Sequence, residues 1–370
     1  MEELERIKIT LSEVQDSRVD ELVARDEAAR RPTAPANREP PKVPLYYNPM
    51  LIYAIAGGLG ALGAWSAIEP FIQEGRALRD LQNPKPEYIL ALIALFPVMG
   101  ATIGLMVAVS DALLSRNLSR AAFCGAIGLG VGLLAGTIGI FAGGFCYGII
   151  RQVGFSIFPP HPPRMGGPAL FVQMVARALA WTIVATGMGL GQGIALKSKK
   201  LVLNGLVGAL IGGFLGGLLF DPIDLIFGGS GSAATSRCVG MTTIGVAVGF
   251  FTGLVESMAK DAWLYMKAGP LAGKQFVIYK DPTILGSSPK CDVYLFKDAA
   301  IEPKHAELRA IGPRYQIKDL GTAQGVYVNG KRVESHVLQS GDTVVLGETV
   351  LEYASMRNTV QRPRKSARQL

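Results

Sequence analysis

The chain has 370 residues, 49% of them hydrophobic and only 18% charged, with a mean hydropathy of +0.31. That balance excludes a disordered or wholly soluble chain. The four cysteines (Cys124, Cys146, Cys238 and Cys291) form no CxxC pair, which argues against both a zinc site and a disulfide framework.

Residues 1–48 are polar and charged, so no cleavable signal is expected and the first apolar span would direct insertion. Between Met1 and Arg31, the positions Leu4, Ile7, Leu11, Val14, Val19, Leu22 and Val23 follow a heptad-like spacing. This stripe reads equally as a short amphipathic helix or as a solvated tail, since isolated helices of this length are marginal. Pro32, Pro35, Pro40, Pro41 and Pro44 then predict an extended linker.

Residues 49–260 form a block of six apolar spans, at about Met50–Ile68, Tyr88–Ser110, Ala121–Ile150, Val175–Leu196, Leu201–Phe220 and Cys238–Met258. The fifth is 20 residues without a charge, enough at about 1.5 Å per residue to cross a hydrocarbon core of about 30 Å. The third is long enough to require tilt or a protruding end. Of the 45 glycines, 36 lie between Met50 and Met258. Gly205, Gly208, Gly212 and Gly216 stand at helical spacing, and Gly125, Gly128, Gly132 and Gly136 repeat the ladder 80 residues earlier. Glycine weakens a soluble helix, but in lipid it lets helix backbones approach closely, so both ladders are expected to be packing faces. Arg177, Gly189 and Gly193 recur as Arg237, Gly249 and Gly253, 60 residues later. Two alternating helix types suggest a repeated helical hairpin; Gly-rich membrane segments also align by composition alone.

With the amino terminus inside, the inner segments hold Arg30, Arg31, Arg38, Lys42, Arg116, Arg120, Lys197, Lys199, Lys200, Lys260 and Lys267. Arg76, Arg79, Lys85, Arg151 and Arg164 fall outside, a modest bias that predicts a cell-membrane protein with both termini cytoplasmic. His161, in a Pro-rich loop, has no partner at metal-binding spacing. The spans place Gln192 and Asn204 well inside and charges such as Arg177 and Glu256 near ends, which counts against ion-coupled transport but not against a channel lined by backbone and small residues. No phosphate-cradling loop, metal cluster or nucleophile elbow is found, so neither an enzyme, nor a cofactor, nor a metal is expected.

After Met258 the pattern changes to short alternating runs separated by turns: KQFVIY, TILG, DVYLF, HAELRAI, RYQIKDL, VYVNGKRV, TVVLG and TVLEYA. These predict a β-sandwich. Gly286-Ser287-Ser288, Cys291-Asp292-Val293, Glu302 to Ala306, Tyr315 to Leu320, Gly325 to Gly330, and Leu338 through Gly341-Asp342 to Leu346-Gly347 follow the order and spacing of a forkhead-associated (FHA) domain. The resemblance covers residues 269–354. It implies a sandwich whose loops bind phosphothreonine peptides. On that pattern Gly286, His305, Gly325, Asn329 and Gly341 are loop-shaping residues. The family's phosphate-gripping arginine corresponds to Ser287, its phosphate-binding serine to Glu302, and a small polar residue and asparagine to Ala323 and Gln324. A hydroxyl cannot grip phosphate bidentately and a carboxylate repels it, so these positions, with Lys304 beside them, are read as a degenerate phosphopeptide site. Lys290, Lys297 or Lys304 would compensate only as flexible point charges.

Residues 355–370 include Arg357, Arg362, Arg364, Lys365 and Arg368 without an acid, five of the net +8. Such a tail suits contact with anionic lipid as well as it suits a solvated state. The fold class expected is therefore an α-helical membrane bundle of about six transmembrane helices with glycine-zipper repeats, followed by an all-β FHA-like sandwich. It resembles a multi-pass, glycine-rich membrane protein of bacterial type. The function expected is to present a cytoplasmic interaction or signalling-scaffold module. The alternative is a channel or lipid-handling block regulated by that module. The expected partners are the bilayer and a protein bound by the module, with a homo-oligomer left open.

Overall fold

The computed structural model describes residues 44–77, 86–160, 167–227, 233–312 and 314–356. The amino-terminal stripe, the linker before Pro44, His161 and the basic tail from Arg357 lie outside the described residues. The chain divides into two compact units, one of residues 44–260 and one whose described part is 261–356.

In the first unit a 3-10 turn (Leu45–Tyr47) precedes α1 (Pro49–Ala77), α2 (Pro86–Leu114), α3 (Leu118–Ile157), α4 (Gly167–Ala185), the short α5 (Gly191–Ala195), α6 (Lys199–Phe227) and α7 (Ala233–Met258). All but α5 are long and apolar enough to cross a membrane. At 40 residues, α3 is about 60 Å long, twice a hydrocarbon core. Local chemistry sets the starts. Pro49 needs no N–H partner at a first helical position, and Asn48 Oδ1 accepts the Met50 N–H at 3.0 Å. Asn117 likewise caps α3 by accepting the Arg120 N–H at 2.9 Å.

Neighbouring helices close into a ring in which α1 packs on α2, α2 on α3, α3 on α4, α4 on α6, α6 on α7 and α7 on α1, while α5 packs against α3 and α6. Tyr53, Met99, Ile103, Met188, Ile244 and Val248 belong to one buried cluster. Glycines make the closest approaches. A Cβ on Gly132 would overlap the Gly100 carbonyl, one on Gly205 the Gly189 carbonyl, and one on Gly249 the Tyr53 carbonyl. The opposite side of α3 exposes Leu129, Leu133, Phe141 and Phe145, a run of large apolar side chains that water would not favour.

The fourth span differs from the expected Val175–Leu196. The helix occupies Gly167–Ala185, breaks over residues 186–190 and resumes as α5. Gly187, Gly189, Gly191 and Gly193 alternate here, each costing about 1 kcal/mol of helix propensity relative to alanine. Tertiary contact replaces the lost helix bonds, since a Cβ on Gly191 would overlap Gly128 and one on Gly193 would overlap Val202. The two ladders 80 residues apart also meet different neighbours. Gly125, Gly128, Gly132 and Gly136 all face α2, whereas Gly208, Gly212 and Gly216 face Thr252, Val248 and Ile244 of α7 and Gly205 faces Gly189. The correspondence at 60 residues is preserved in space. Gly189 and Gly249 each press on a carbonyl of the neighbouring helix, and Arg177 and Arg237 each pair with an acid there, Asp221 and Glu69.

Among its described residues the second unit is a sandwich of eleven strands: β1 (Ala262–Ala268), β2 (Gln275–Val277), β3 (Thr283–Gly286), β4 (Val293–Tyr294), β5 (Ala306–Ile311), β6 (Arg314–Asp319), β7 (Val326–Val328), β8 (Lys331–Val333), β9 (Ser335–Val337), β10 (Thr343–Leu346) and β11 (Thr349–Ser355). One sheet has the order β2-β1-β11-β10-β7-β8 and the other β4-β3-β5-β6-β9. Only β3 and β4 run parallel among these pairings. Alternating positions of both sheets, such as Leu264, Leu285, Leu308, Ile317, Val344 and Leu351, point into one core. β1 lies between β2 and β11 and begins at Ala262, before Gly269.

Candidate ligand-binding loops

Three connections, β3–β4, β4–β5 and β6–β7, are tied together by hydrogen bonds. β3 ends at Gly286, where a Cβ would overlap the Pro303 carbonyl, so only glycine permits the approach. The Ser287 N–H donates to the Glu302 carbonyl at 3.0 Å and the Ser288 N–H to the Pro303 carbonyl at 3.2 Å. The Cys291 thiol donates to that same Pro303 carbonyl at 3.0 Å. Burial pushes this thiol up, which makes it a packing group rather than a nucleophile.

His305 is fully buried at the head of β5. Its Nδ1 accepts the Glu302 N–H at 3.2 Å, which assigns the proton to Nε2. Nε2 then donates to the Gly325 carbonyl at 3.0 Å and lies 3.2 Å from the Thr322 hydroxyl. Thr322 donates to Asp319 at 2.8 Å and accepts the Gly325 N–H at 3.2 Å. Gly325 has φ +72°, a region glycine adopts without strain.

The Glu302 carboxylate reaches across the cleft between loops and accepts the Ala323 N–H at 2.9 Å. From the other side the Arg332 guanidinium of β8 donates to the Thr322 and Ala323 carbonyls, each at 3.3 Å. Ala323 is therefore held by an acid at its N–H and by a cation at its carbonyl. Around this clasp Lys290, Lys304 and Gln324 are exposed, and Ser287 and Ser288 are half-buried.

Of the positions singled out by sequence, Ser287, Glu302, Ala323, Gly286, His305 and Gly325 come together in this network, with Lys304 and Gln324 on its loops. Asn329 and Gly341 stand elsewhere. Asn329 (φ +50°) donates to Asp342 at 2.9 Å and accepts the Thr343 N–H at 3.0 Å, fixing the β7–β8 turn to β10. Gly341 (φ +98°) donates to the Tyr353 carbonyl at 2.8 Å. Sequence reasoning missed Thr322 and Arg332. The only signal for Arg332 was its place just after the Asn329-Gly330 turn.

The family description "FHA domain" matches residues 283–347. The glycogen accumulation regulator GarA of Mycolicibacterium smegmatis is 36% identical over 100 residues, which are 27% of this chain and 63% of that protein. The oxoglutarate dehydrogenase inhibitor of Corynebacterium efficiens is 35% identical over 97 residues, 26% of this chain and 68% of that protein. The chain thus spans less than two thirds of the length of the first of these relatives. Among solved structures, the FHA domain of the CT664 protein from Chlamydia trachomatis is 28% identical, covers 26% of this chain and 98% of its own, and has a TM-score of 0.24.

Proposed function

The chain belongs to the FHA family through residues 283–347, and from that premise we propose that it is a multi-pass membrane protein whose FHA domain docks a protein partner without requiring phosphothreonine. The observation that carries this reading is the Glu302 carboxylate on the Ala323 N–H. An internal anion already occupies a backbone donor of the loop cleft, beside a serine where the family pattern has its arginine. A phosphate brought here would meet a like charge and no bidentate guanidinium at position 287. Losing two charge-assisted contacts, each about 1.5–3 kcal/mol, lowers affinity by about a hundredfold or more.

Six helices of sufficient length and apolarity support the membrane assignment, and close glycine contacts around a buried cluster support an anchor over a conduit. Two relatives, one named a regulator and the other an inhibitor, accord with an interaction role. Titrating the full chain in detergent with a phosphothreonine-peptide library tests the reading. Negligible binding is expected, with measurable binding after the double change Ser287→Arg and Glu302→Ser. Selective micromolar binding by the unaltered chain would overturn it. On the same reading both termini face the cytoplasm, as the distribution of Lys and Arg suggests. Single cysteines at Ser156 and Met356, both exposed, on a Cys-free background report this: an impermeant reagent on intact cells should label position 156 and spare 356, and the reverse pattern inverts the topology.

A further inference from the structure

Where α3 and α6 end and α4 begins, Tyr147, Arg151, Gln173, Arg177 and Asp221 gather between three helices. Gln173 Nε2 donates to the Tyr147 hydroxyl at 2.6 Å. Arg177 meets Asp221 Oδ1 at 3.2 Å and lies 4.6 Å over the Phe220 ring. Arg151 stands 5.2 Å over Tyr147 and 5.0 Å over Phe155, and Asp221 feels the charge of Arg177 first, then that of Asp224, a hydrogen bond with the Gln173 side chain and the charge of Arg151.

Four buried polar atoms in this group have no hydrogen-bond partner among the described residues: Arg151 Nε, Arg177 Nε, Gln173 Oε1 and Asp221 Oδ2. Gln173 and Asp221 are only 7% and 8% exposed. Buried polar atoms are nearly always paired, so four together call for a ligand. The corresponding pair of the other helix repeat shows the contrast. Arg237 grips Glu69 through both Nε and a terminal nitrogen, engaging both carboxylate oxygens.

The open atoms are two guanidinium donors and two oxygen acceptors. A matching ligand carries an anionic oxygen and an ammonium a few ångströms apart. Arg151 and Asp221 each lie six residues before the ends of α3 and α6, about 9 Å down the helix, near the boundary between headgroups and hydrocarbon. The site has an open side. Gly144 and Gly148, each three residues before Tyr147 and Arg151 and so on the same side of α3, have nothing within 4 Å of a Cβ position.

We propose that this cluster binds the headgroup of an aminophospholipid, with its phosphodiester on Arg151 and Arg177 and its ammonium on Asp221 and Gln173. The inference rests on the membrane assignment above. A free phosphoethanolamine ester has the same chemistry, and the test separates the two sources.

The full chain is first extracted from membranes. It is then placed in nanodiscs of phosphatidylcholine doped with phosphatidylethanolamine or phosphatidylglycerol, and the retained lipid is read by native mass spectrometry. Phosphatidylethanolamine should be retained about tenfold over the other two, and soluble glycerophosphoethanolamine at equal concentration should not displace it. Gln173→Leu should remove the preference for the amine, and Arg151→Gln should lower retention of the lipid by about tenfold, while Glu69→Gln, at the satisfied pair, should leave the preference unchanged. Equal retention of all three lipids overturns the proposal. So does an intact preference in folded Gln173→Leu and Arg151→Gln proteins. Displacement by the soluble ester assigns the site to a soluble ligand and overturns the lipid reading. Release of the chain from membranes by alkaline carbonate without detergent defeats the membrane assignment itself, whereas retention with no headgroup preference defeats this proposal alone.

Discussion

At His305 a buried ring is bonded at both nitrogens, to the Glu302 N–H and to the Gly325 carbonyl, so one side chain fastens two loops to the head of β5. His305→Ala removes both bonds and leaves a cavity. Each stranded buried group costs about 1–3 kcal/mol, a large part of the 5–15 kcal/mol typical of a whole domain. The expected result is a drop in the sandwich's thermal midpoint well beyond 10 °C, since about 1 kcal/mol moves a domain of this size by about 4–8 °C. A drop of a few degrees would show that the loops are held by other means. The histidine was legible in the sequence because it sits at a fixed distance from Gly286 and Gly325 in a recurring motif. Its partners were not, because Thr322 and Arg332 act on backbone atoms, and no pattern of side chains records which carbonyl a fold delivers. The clasp of Glu302 on Ala323 was hidden for the same reason: an acid at position 302 is visible in the sequence, but the bond it makes is not.

Glycines in the helices separate into those that touch and those that do not, and sequence spacing alone does not tell them apart. A Cβ on Gly132 would overlap the Gly100 carbonyl, while two residues earlier Gly130 has open space beside it. Gly132→Ala should therefore force α2 and α3 apart, with overpacking that costs about 1–3 kcal/mol, whereas Gly130→Ala should be neutral or slightly stabilising. Gly212 backs onto Val248, so Gly212→Leu should behave like Gly132→Ala, and Leu215→Ile should be mild. Thermal unfolding in detergent decides this, and equal midpoints for Gly132→Ala and Gly130→Ala would mean that the α2–α3 contact is not close. Helix existence was legible throughout because long apolar runs leave few alternatives. The break in the fourth span was harder to see, since Thr186 to Gly193 carries neither a charge nor a proline. Only the close approaches to Gly205, Gly128 and Val202 show why alternating glycines there give up helical bonds. Both ladders matched at 80 residues are packing faces, as their spacing suggests, yet they meet different neighbours: identical spacing fixes a face of a helix but not what it packs on.

Across the whole molecule the two units are covalently joined at Lys260 and Asp261, and their independence depends on which strands belong to the second. The recognised motif spans residues 283–347, and alternation in the sequence suggests a start near Gly269. Yet β1 pairs along its length with β11 and also with β2, and it contributes Leu264 and Met266, both nearly without exposure, to the core. Deleting it would strip β11 of a partner, leave β2 with none in its sheet, and open the core beside Leu351 and Tyr353. Burying a side chain of this size contributes about 1.5–3 kcal/mol, and two such losses plus a row of unpaired backbone groups exceed what a small domain can spare. A fragment of residues 261–356 should therefore unfold cooperatively, with dispersed amide resonances, while a fragment of residues 269–354 should be expanded or aggregate through its bared strand. Cooperative unfolding of both fragments at similar midpoints would mean that β1 is an accessory strand and that the sandwich closes without it.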